Sequence, residues 1–238
     1  MLAQGYDNIV VERRSLENEL ARMAASVESQ LQGAVTAFER RDIVAAERLI
    51  EGDARIDEYF SDIEAKVINL LAAGKLADGD LRKVVSIMKV NGELERVGDL
   101  AKNIAKRTLV VSREKSASPN VGVARMGRAS VLQFADILNA YASRNLDAAK
   151  AVWRGDDELD ELYNSVFREI INKLVSDPNL ANAFIHLVFI AKNFERVGDH
   201  ATNIAEAIHF ELTGQPMPDL RPKSDNTAAA TVDAGLLD

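Results

Sequence analysis

The sequence has no cysteine, no proline before residue 119 and few aromatic side chains, which make up 5% of its 238 residues. Without cysteine the chain cannot be a disulfide-stapled secreted domain or bind a metal through thiolates. Basic charge is also scarce, with 29 Lys and Arg against 37 Asp and Glu and a net charge of −8. This balance disfavours nucleic acid as the main partner, because that affinity comes largely from clustered Lys and Arg.

Long apolar runs are missing as well. No window approaches the roughly 18 uncharged residues of a membrane-spanning helix. The acidic Asp7 and Glu12 interrupt the N-terminal segment, so a signal peptide is not expected there. We therefore expect a soluble, cytoplasmic protein. The chain is long enough for two units of roughly 100–120 residues, each able to bury a core of its own.

The proline-free part of the chain is rich in Ala, Leu, Glu and Arg, a composition typical of helices. Apolar residues recur every three or four positions in three stretches, 16–38, 56–70 and 94–105. This spacing predicts three long amphipathic helices, and the short turns between them favour an antiparallel bundle. Asp80 is the predicted N-cap of the third helix.

The chain then repeats itself. The block Glu-Arg-Val-Gly-Asp occupies 95–99 and again 195–199, and each copy is followed by Asn-Ile-Ala at 103–105 and 203–205. Upstream, Ala-Arg-Met at 21–23 returns at 124–126. The duplication predicts an all-α protein of two tandem, pseudo-symmetric three-helix bundles. The predicted boundaries are a first bundle at 1–111, a linker at 112–121, a second bundle at 122–213 and a disordered tail at 214–238.

The repeated block carries two carboxylates four residues apart, Glu95 and Asp99 in one copy and Glu195 and Asp199 in the other. Residues at this spacing lie on one side of a helix. The pair lies roughly 100° to 140° around the helix from Leu94, which belongs to the apolar face. The sequence therefore predicts an acidic stripe that faces away from the bundle core.

A second pair of carboxylates precedes the block, Asp53 with Asp57 and, in the other copy, Asp156 with Asp160. These residues are predicted on the shoulder of an apolar face, so that neighbouring helices present four carboxylates across one seam. Four oxygen donors without Cys or His suit Mg²⁺, Mn²⁺, Ca²⁺ or iron better than a structural zinc. Four charges in one patch also suit a cluster of ions.

Other interpretations of these residues stay open. The acids could be ordinary solvated side chains, since one like-charge pair costs a helix only about 0.2–0.5 kcal/mol. Gly98 and Gly198, inside helices, indicate either a close approach of another helix or ligand, or tolerated flexibility. The histidines are interpreted as structural or surface residues, because His200 has Leu100 as its counterpart; they are His186, His200 and His209.

The paired blocks with their trailing Asn-Ile-Ala, Asp-Leu-Arg at 80–82 and Ala-Lys-Asn-Phe at 191–194 resemble the PhoU family, over about residues 7–214. The resemblance implies two three-helix bundles whose Glu/Asp-x-x-x-Asp motifs bind metal ions, namely iron, Mn²⁺, Mg²⁺ or Zn²⁺. Carried over by position, the implied metal ligands are Asp53, Asp57, Glu95, Asp99, Asp156, Asp160, Glu195 and Asp199.

The resemblance further implies a negative regulator of the phosphate starvation response and of phosphate uptake. Such a protein is an adaptor between the ATPase subunit of the phosphate ABC transporter and a sensor histidine kinase, and it reaches the membrane only through these partners. No catalytic turnover and no nucleic acid are implied. Long apolar stripes favour a homodimer. The sequence departs from the family at 176–179, where an expected arginine is missing, and in its extension after Gly214.

Two other function classes remain. Clustered carboxylates also occur in metal-dependent enzymes, such as a phosphohydrolase or an oxidase with two metal ions. Two observations disfavour an enzyme. The predicted stripe faces outward, and no general acid or base in a pocket is recognisable. A purely structural helical scaffold is the third interpretation, and it predicts neither metal binding nor an effect on phosphate signalling.

Overall fold

The computed structural model describes residues 2–74, 76–114 and 121–218, and every regular element in these ranges is helical. The same order of helices occurs twice, as the duplication predicts. The first copy contains α1 (Leu2–Arg40), α2 (Ile43–Gly52), α3 (Ala54–Ala72) and α4 (Asp78–Arg113). The second contains α5 (Val121–Ser143), α6 (Leu146–Arg154), α7 (Asp156–Ser176) and α8 (Ala181–Thr213), with a 3₁₀ turn at Pro178–Leu180 before α8.

Each copy has one helix more than apolar periodicity predicts. The extra helices α2 and α6 are only 10 and 9 residues long, too short for a clear periodic pattern. Asp42 and Asn145 cap them, each accepting a hydrogen bond from the backbone N–H three residues on, at 2.9 and 3.0 Å. Arg41 and Arg144 precede these caps in left-handed backbone, with φ of 53° in both copies. The duplication thus extends to the turn that starts the short helix.

The predicted start of α4 is wrong by three residues. The helix begins at Asp78 with Ala77 as its N-cap, so Asp80 lies in the first turn. There the Asp80 carboxylate pairs with the Arg13 guanidinium of α1 at 2.9 Å and is not available as a cap. Parts of the predicted linker, 115–120, and of the predicted tail, 219–238, lie outside the described residues.

The two copies meet along α4 and α8, which pack antiparallel. The Ser86 hydroxyl near the start of α4 donates to the carbonyl of Ala207 near the end of α8, at 3.3 Å. Arg107 near the end of α4 contacts the beginning of α8. Because corresponding residues of α4 and α8 differ by 100 positions, this pairing places a pseudo-twofold axis near Val97 and Val197, both fully buried. The repeated blocks therefore lie at the centre of the molecule.

The main buried cluster contains apolar residues of both copies, so the two bundles share one core. Its largest fully buried side chains come from α1, α3, α4, α5 and α8, and they include Leu16, Met23, Ile63, Leu94, Phe134 and Phe194. Within the described ranges, no single helix has the length and hydropathy to cross a membrane. One sharply bent pair, Leu146–Ser176 with Pro178–Thr213, passes that test jointly, by length and composition only.

The glycines inside the repeated block mark a close approach of side chains from the preceding helix. A Cβ on Gly98 would lie 3.2 Å from the Ile56 side chain, and one on Gly198 only 2.8 Å from Leu159 Cδ2. Both distances are tighter than ordinary packing. The interpretation as close approach is confirmed, and α3 and α7 can thus pack directly against the blocks.

We predict that Gly198→Ala destabilises the protein by about 1 kcal/mol or more, because overpacking outweighs the gain in helix propensity. The matched control is Gly92→Ala in α4, where an added Cβ has no neighbour within 4 Å. It should stabilise by about 0.5–1 kcal/mol. Urea unfolding of both variants measures the difference, and a stabilised Gly198→Ala variant would contradict the close approach.

Candidate functional site

The predicted carboxylates come together as two clusters, one in each copy. The first cluster lies between α3 and α4, and it comprises Asp53, Asp57, Glu95 and Asp99. The second cluster lies between α7 and α8, and it comprises Asp156, Asp160, Glu195 and Asp199. Glu95 feels the charges of Asp99 and Asp57, and Glu195 feels those of Asp199 and Asp160. The seam expected from the sequence is therefore present in both copies.

The outward direction predicted for the four acids of the repeated blocks is wrong at Glu195, which is buried. Three of the four acids predicted on the shoulder of an apolar face are buried as well. Asp53 and Asp156 are 2% exposed, and Asp160 and Glu195 are 5% exposed. Of the eight residues only Asp57 is fully on the surface. The helical angle of a residue gives its side on one helix but not the neighbour that covers it. The burial of Glu195 shows that part of the stripe in the second copy is covered. The clusters lie at the edge of the core.

A lysine compensates the charge of the first cluster. The Lys102 ammonium donates to the buried Asp53 carboxylate and lies 3.8 Å from Asp99 Oδ1. The hydrogen bond with Asp53 raises the pKa of Lys102, while partial burial opposes it. On its other side Asp53 accepts a hydrogen bond from Gln30 Nε2 of α1 at 3.2 Å. The buried carboxylate thus keeps two donors, as burial of a charge requires.

The second cluster uses a lysine from a different position. Lys192 Nζ donates to Glu195 Oε1 at 2.8 Å, from one turn before the repeated block rather than one turn after it. The residue that corresponds to Lys102 is Thr202, and the residue that corresponds to Lys192 is Gly92. The carboxylates are therefore duplicated whereas the compensating cation is not. The two clusters are chemically alike but electrostatically unequal.

Two glutamines beside the clusters were missed by the sequence analysis. Gln30 on α1 and Gln133 on α5 occupy equivalent repeat positions and lie against the two clusters. Among the described residues, Gln30 Oε1 and Gln133 Nε2 are buried and have no hydrogen-bond partner. A polar residue at the same place on the apolar face of both copies was the available signal. Gln30 positions Asp53 at the start of α3 through its hydrogen bond.

Burial changes the electrostatics of Glu195 in the second cluster. Desolvation raises the pKa of Glu195 to about 7, although the Lys192 hydrogen bond opposes it and the charges of Asp199 and Asp160 add to it. Glu195 Oε2 is buried without a hydrogen-bond partner among the described residues. Partial burial also raises the pKa of Glu95. A cation brought to these oxygens would relieve the cost that the raised pKa values express.

The donor set fits a hard divalent cation, because it consists of carboxylate oxygens, one of them buried and unpartnered at Glu195. In the described parts of the chain, however, no three Asp, Glu, His or Cys side chains already stand in an arrangement that could hold an ion. The ammonium groups of Lys102 and Lys192 supply the positive charge that a bound metal ion would supply. An ion would have to displace them and draw the carboxylates together.

The histidines lie outside this arrangement. His200 Nδ1 is 2.6 Å from Glu93 Oε2, which also accepts a hydrogen bond from Asn203 Nδ2 at 3.1 Å. This network joins α8 to α4 across the two copies. His209 Nδ1 lies 2.9 Å from the carbonyl oxygen of Gln215, after the end of α8. These contacts fit the structural role expected for the histidines.

We predict that Glu195→Gln stabilises the metal-free protein at pH 8 and has little effect at pH 4.5. The folded-state pKa of Glu195 is about 7, above its unfolded value, so wild-type stability falls as the pH rises through this window. The expected gain at pH 8 is on the order of 1–3 kcal/mol. Urea unfolding with a chelator measures it. The exposed Glu158→Gln serves as control, and an equal gain at both pH values would contradict the burial argument.

Comparison with known proteins agrees with this architecture. The family model described as the PhoU domain matches residues 20–108 and again residues 123–208. The two matches correspond to the two copies of the fold. Each includes one repeated block and one carboxylate cluster. The match therefore recognises the duplicated unit and not only a single motif.

Curated relatives and solved structures cover nearly the whole chain. A Caulobacter vibrioides protein, named phosphate-specific transport system accessory protein PhoU homolog, is 44% identical over 88% of this chain and 92% of its own. A Rhizobium meliloti protein of the same name is 34% identical over 91% and 92%. The crystal structure of PhoU from Pseudomonas aeruginosa superimposes with a TM-score of 0.83 at 30% identity, covering 86% of this chain and 99% of that one. That of the phosphate transport system regulatory protein PhoU from Streptococcus pneumoniae gives 0.82 at 29% identity, covering 89% and 100%. Duplicated fold, repeated carboxylate clusters and relatives this similar over this length place the chain in the PhoU family.

Proposed function

We propose that this chain is a negative regulator of the phosphate starvation response and of phosphate uptake, acting in the cytoplasm as a metal-binding adaptor without catalytic turnover. The names of its relatives, an accessory protein of phosphate-specific transport and a phosphate transport regulatory protein, support the phosphate role. The observation that carries the adaptor role is the pair of carboxylate clusters at equivalent places in the two copies.

The proposed partners are the ATPase subunit of the phosphate ABC transporter and a sensor histidine kinase. A pseudo-symmetric molecule with two similar clusters offers two comparable faces, one for each partner or for each subunit of a homodimer. The adaptor would act by binding one conformation of its partners more tightly than another, because only a difference in affinity shifts such an equilibrium. Ample phosphate would favour the conformation that keeps the kinase inactive.

The eight carboxylates of the two clusters are the proposed metal ligands. When bound, an ion would neutralise these carboxylates and offer its remaining coordination positions to an acidic or phosphate group of a partner. The exposed Asp57 and the half-buried Asp99 provide the outer edge of the first cluster. The buried Asp53 would fix the inner edge through Gln30. Lys102 and Lys192 would hold the clusters together until an ion replaces them.

We predict that a phosphate-starvation reporter is active at high phosphate in cells that lack this chain, and that wild type silences it. The variant in which Glu95, Asp99, Glu195 and Asp199 are all changed to Ala should fail to silence it, because the ligands are lost. The matched control changes four exposed acids outside the clusters to Ala, namely Glu47, Glu51, Glu158 and Glu161, and should silence the reporter.

Immunoblots establish equal protein levels in these strains. An inactive reporter in the cells without the chain, or full silencing by the cluster variant, would contradict the proposal. In the first case a metal-dependent enzyme or a structural scaffold becomes the better account.

We predict that Mn²⁺ binds to both clusters, with the two copies contributing separately. The free Mn²⁺ signal in electron paramagnetic resonance measures how many ions each chain removes from solution. Glu95→Ala with Asp99→Ala should abolish the contribution of the first copy and leave that of the second. Combining these changes with Glu195→Ala and Asp199→Ala should abolish both. A stoichiometry unchanged from wild type would exclude these residues as ligands.

A further inference from the structure

A groove runs between the first three helices of each copy, and one end of it reaches Gln30 or Gln133, the glutamines beside the carboxylate clusters. The first groove, between α1, α2 and α3, has two adjoining parts of about 500 and 170 Å³ that share Ser29, Arg48 and Leu49. The second groove, between α5, α6 and α7, is one cavity of about 680 Å³. Both are lined from the same repeat positions, 103 residues apart.

The duplication has kept the shape of the groove and changed its charge. Three positions carry the change: Arg40, Arg48 and Arg55 in the first groove correspond to Ser143, Ala151 and Glu158 in the second. A fourth position adds to it, because Gly33 corresponds to Asp136. The lining of the first groove has three cations and one acid, Asp42, whereas that of the second has two acids and no cation.

The positive charge of the first groove is not compensated from within. Arg40 and Arg48 form no ion pair in the described part of the chain, and both are exposed. The one acid, Asp42, is engaged as the N-cap of α2. Arg55 donates to the Tyr59 hydroxyl at 3.2 Å and lies over that ring, which orients the guanidinium. The acid whose charge acts on it, Glu58, lies outside the lining of the groove. In a chain of net charge −8 this is a local positive surface.

The length of the first groove decides what fits it. Its lining on α1 runs from Ser26 to Arg40, which is about 20 Å along a helix. One free phosphate ion is too small to contact cations spread over that length. An extended peptide of about six residues spans it. Arginine pairs with carboxylates through two parallel hydrogen bonds. The Ser26 and Thr36 hydroxyls of the wall donate to carbonyls of α1, so their oxygens are left to accept from a peptide N–H.

We propose that the first groove is a docking surface for an extended acidic segment of a partner protein, and that the second groove is not. The biological role of this surface rests on the proposed adaptor function. The two copies then differ in function. The first copy carries the surface for an acidic partner, and the second copy does not. An adaptor could thereby distinguish its two partners, because only an acidic partner segment would bind to the first groove.

The test measures binding of a fluorescein-labelled peptide of alternating Glu and Ser to the full-length, metal-free chain by fluorescence anisotropy. Arg40→Ser, Arg48→Ala and Arg55→Glu together give the first groove the side chains of the second. We expect affinity to fall on the order of tenfold or more. The control makes the same change in net charge at exposed cations outside both grooves, with Lys106→Glu, Arg14→Ala and Arg168→Ser, and should stay within about twofold.

The reciprocal transplant keeps the test decisive. Ser143→Arg, Ala151→Arg and Glu158→Arg, added to the first triple variant, should restore binding through the second groove. All six positions are exposed, so the fold should tolerate the changes, and circular dichroism checks it. An equal loss in the control variant, or no recovery in the transplant, would overturn the proposal. So would displacement of the peptide by inorganic phosphate beyond that by sodium chloride of equal ionic strength, which would assign the groove to free anions.

Because this measurement uses neither metal nor a phosphate reporter, its failure would leave the proposed regulatory function standing. Conversely, a reporter that ignores the chain would remove the adaptor role while leaving peptide binding to the first groove as a property of the molecule.

Discussion

The antiparallel packing of α4 against α8 is the constraint on which the rest of the structure depends. It brings the centres of the two repeated blocks together at Val97 and Val197, both fully buried, and so creates the pseudo-twofold axis. With that axis fixed, α3 and α7 can pack closely only where Gly98 and Gly198 leave room. This packing places the aspartates of α3 and α7 beside the carboxylates of α4 and α8. The α4–α8 contact joins the two cores, and the close approach at each glycine forms the cluster of its own copy.

Each cluster places like charges at the edge of a hydrophobic core, which is costly without compensation. The structure shows three forms of relief: a lysine ammonium, a glutamine amide and the raised pKa of Glu195 and of the half-buried Glu95. None of these is complete at Glu195, where one oxygen is buried without a partner. Under the proposed function, a cation that binds these carboxylates better than a lysine does would displace the lysine. Binding of such an ion would then rearrange the edge of the core.

Apolar periodicity and the internal repeat were enough to predict the helical fold and its duplication, because both are properties of the sequence pattern alone. The close approach at Gly98 and Gly198 was also accessible, since glycine inside a helix has a recognisable cost. The short helices α2 and α6 were missed because they lack a full periodic window. The burial of Asp53 and Glu195 was missed because it depends on which neighbouring helix covers the stripe.

The compensating cations show why the rest could not be predicted. Lys102 and Lys192 each donate to a carboxylate of their cluster, but the repeat does not relate their positions. Comparison of the two copies therefore does not reveal them. The divergent grooves are a similar case. The repeat offset of 103 already aligns Arg48 with Ala151, but only the structure shows that both positions line a groove. Duplication preserved the backbone and the carboxylates, while the surrounding side chains changed independently in each copy.

The central claim is that the two carboxylate clusters are the metal-binding centres of the protein. The most direct measurement is anomalous X-ray scattering at the manganese edge from crystals grown with Mn²⁺. The account predicts anomalous peaks at both clusters, one group beside Asp57 and Glu95 and the other beside Asp160 and Glu195, with Lys102 and Lys192 turned away. Peaks elsewhere, or no peaks in crystals that diffract well, would contradict it.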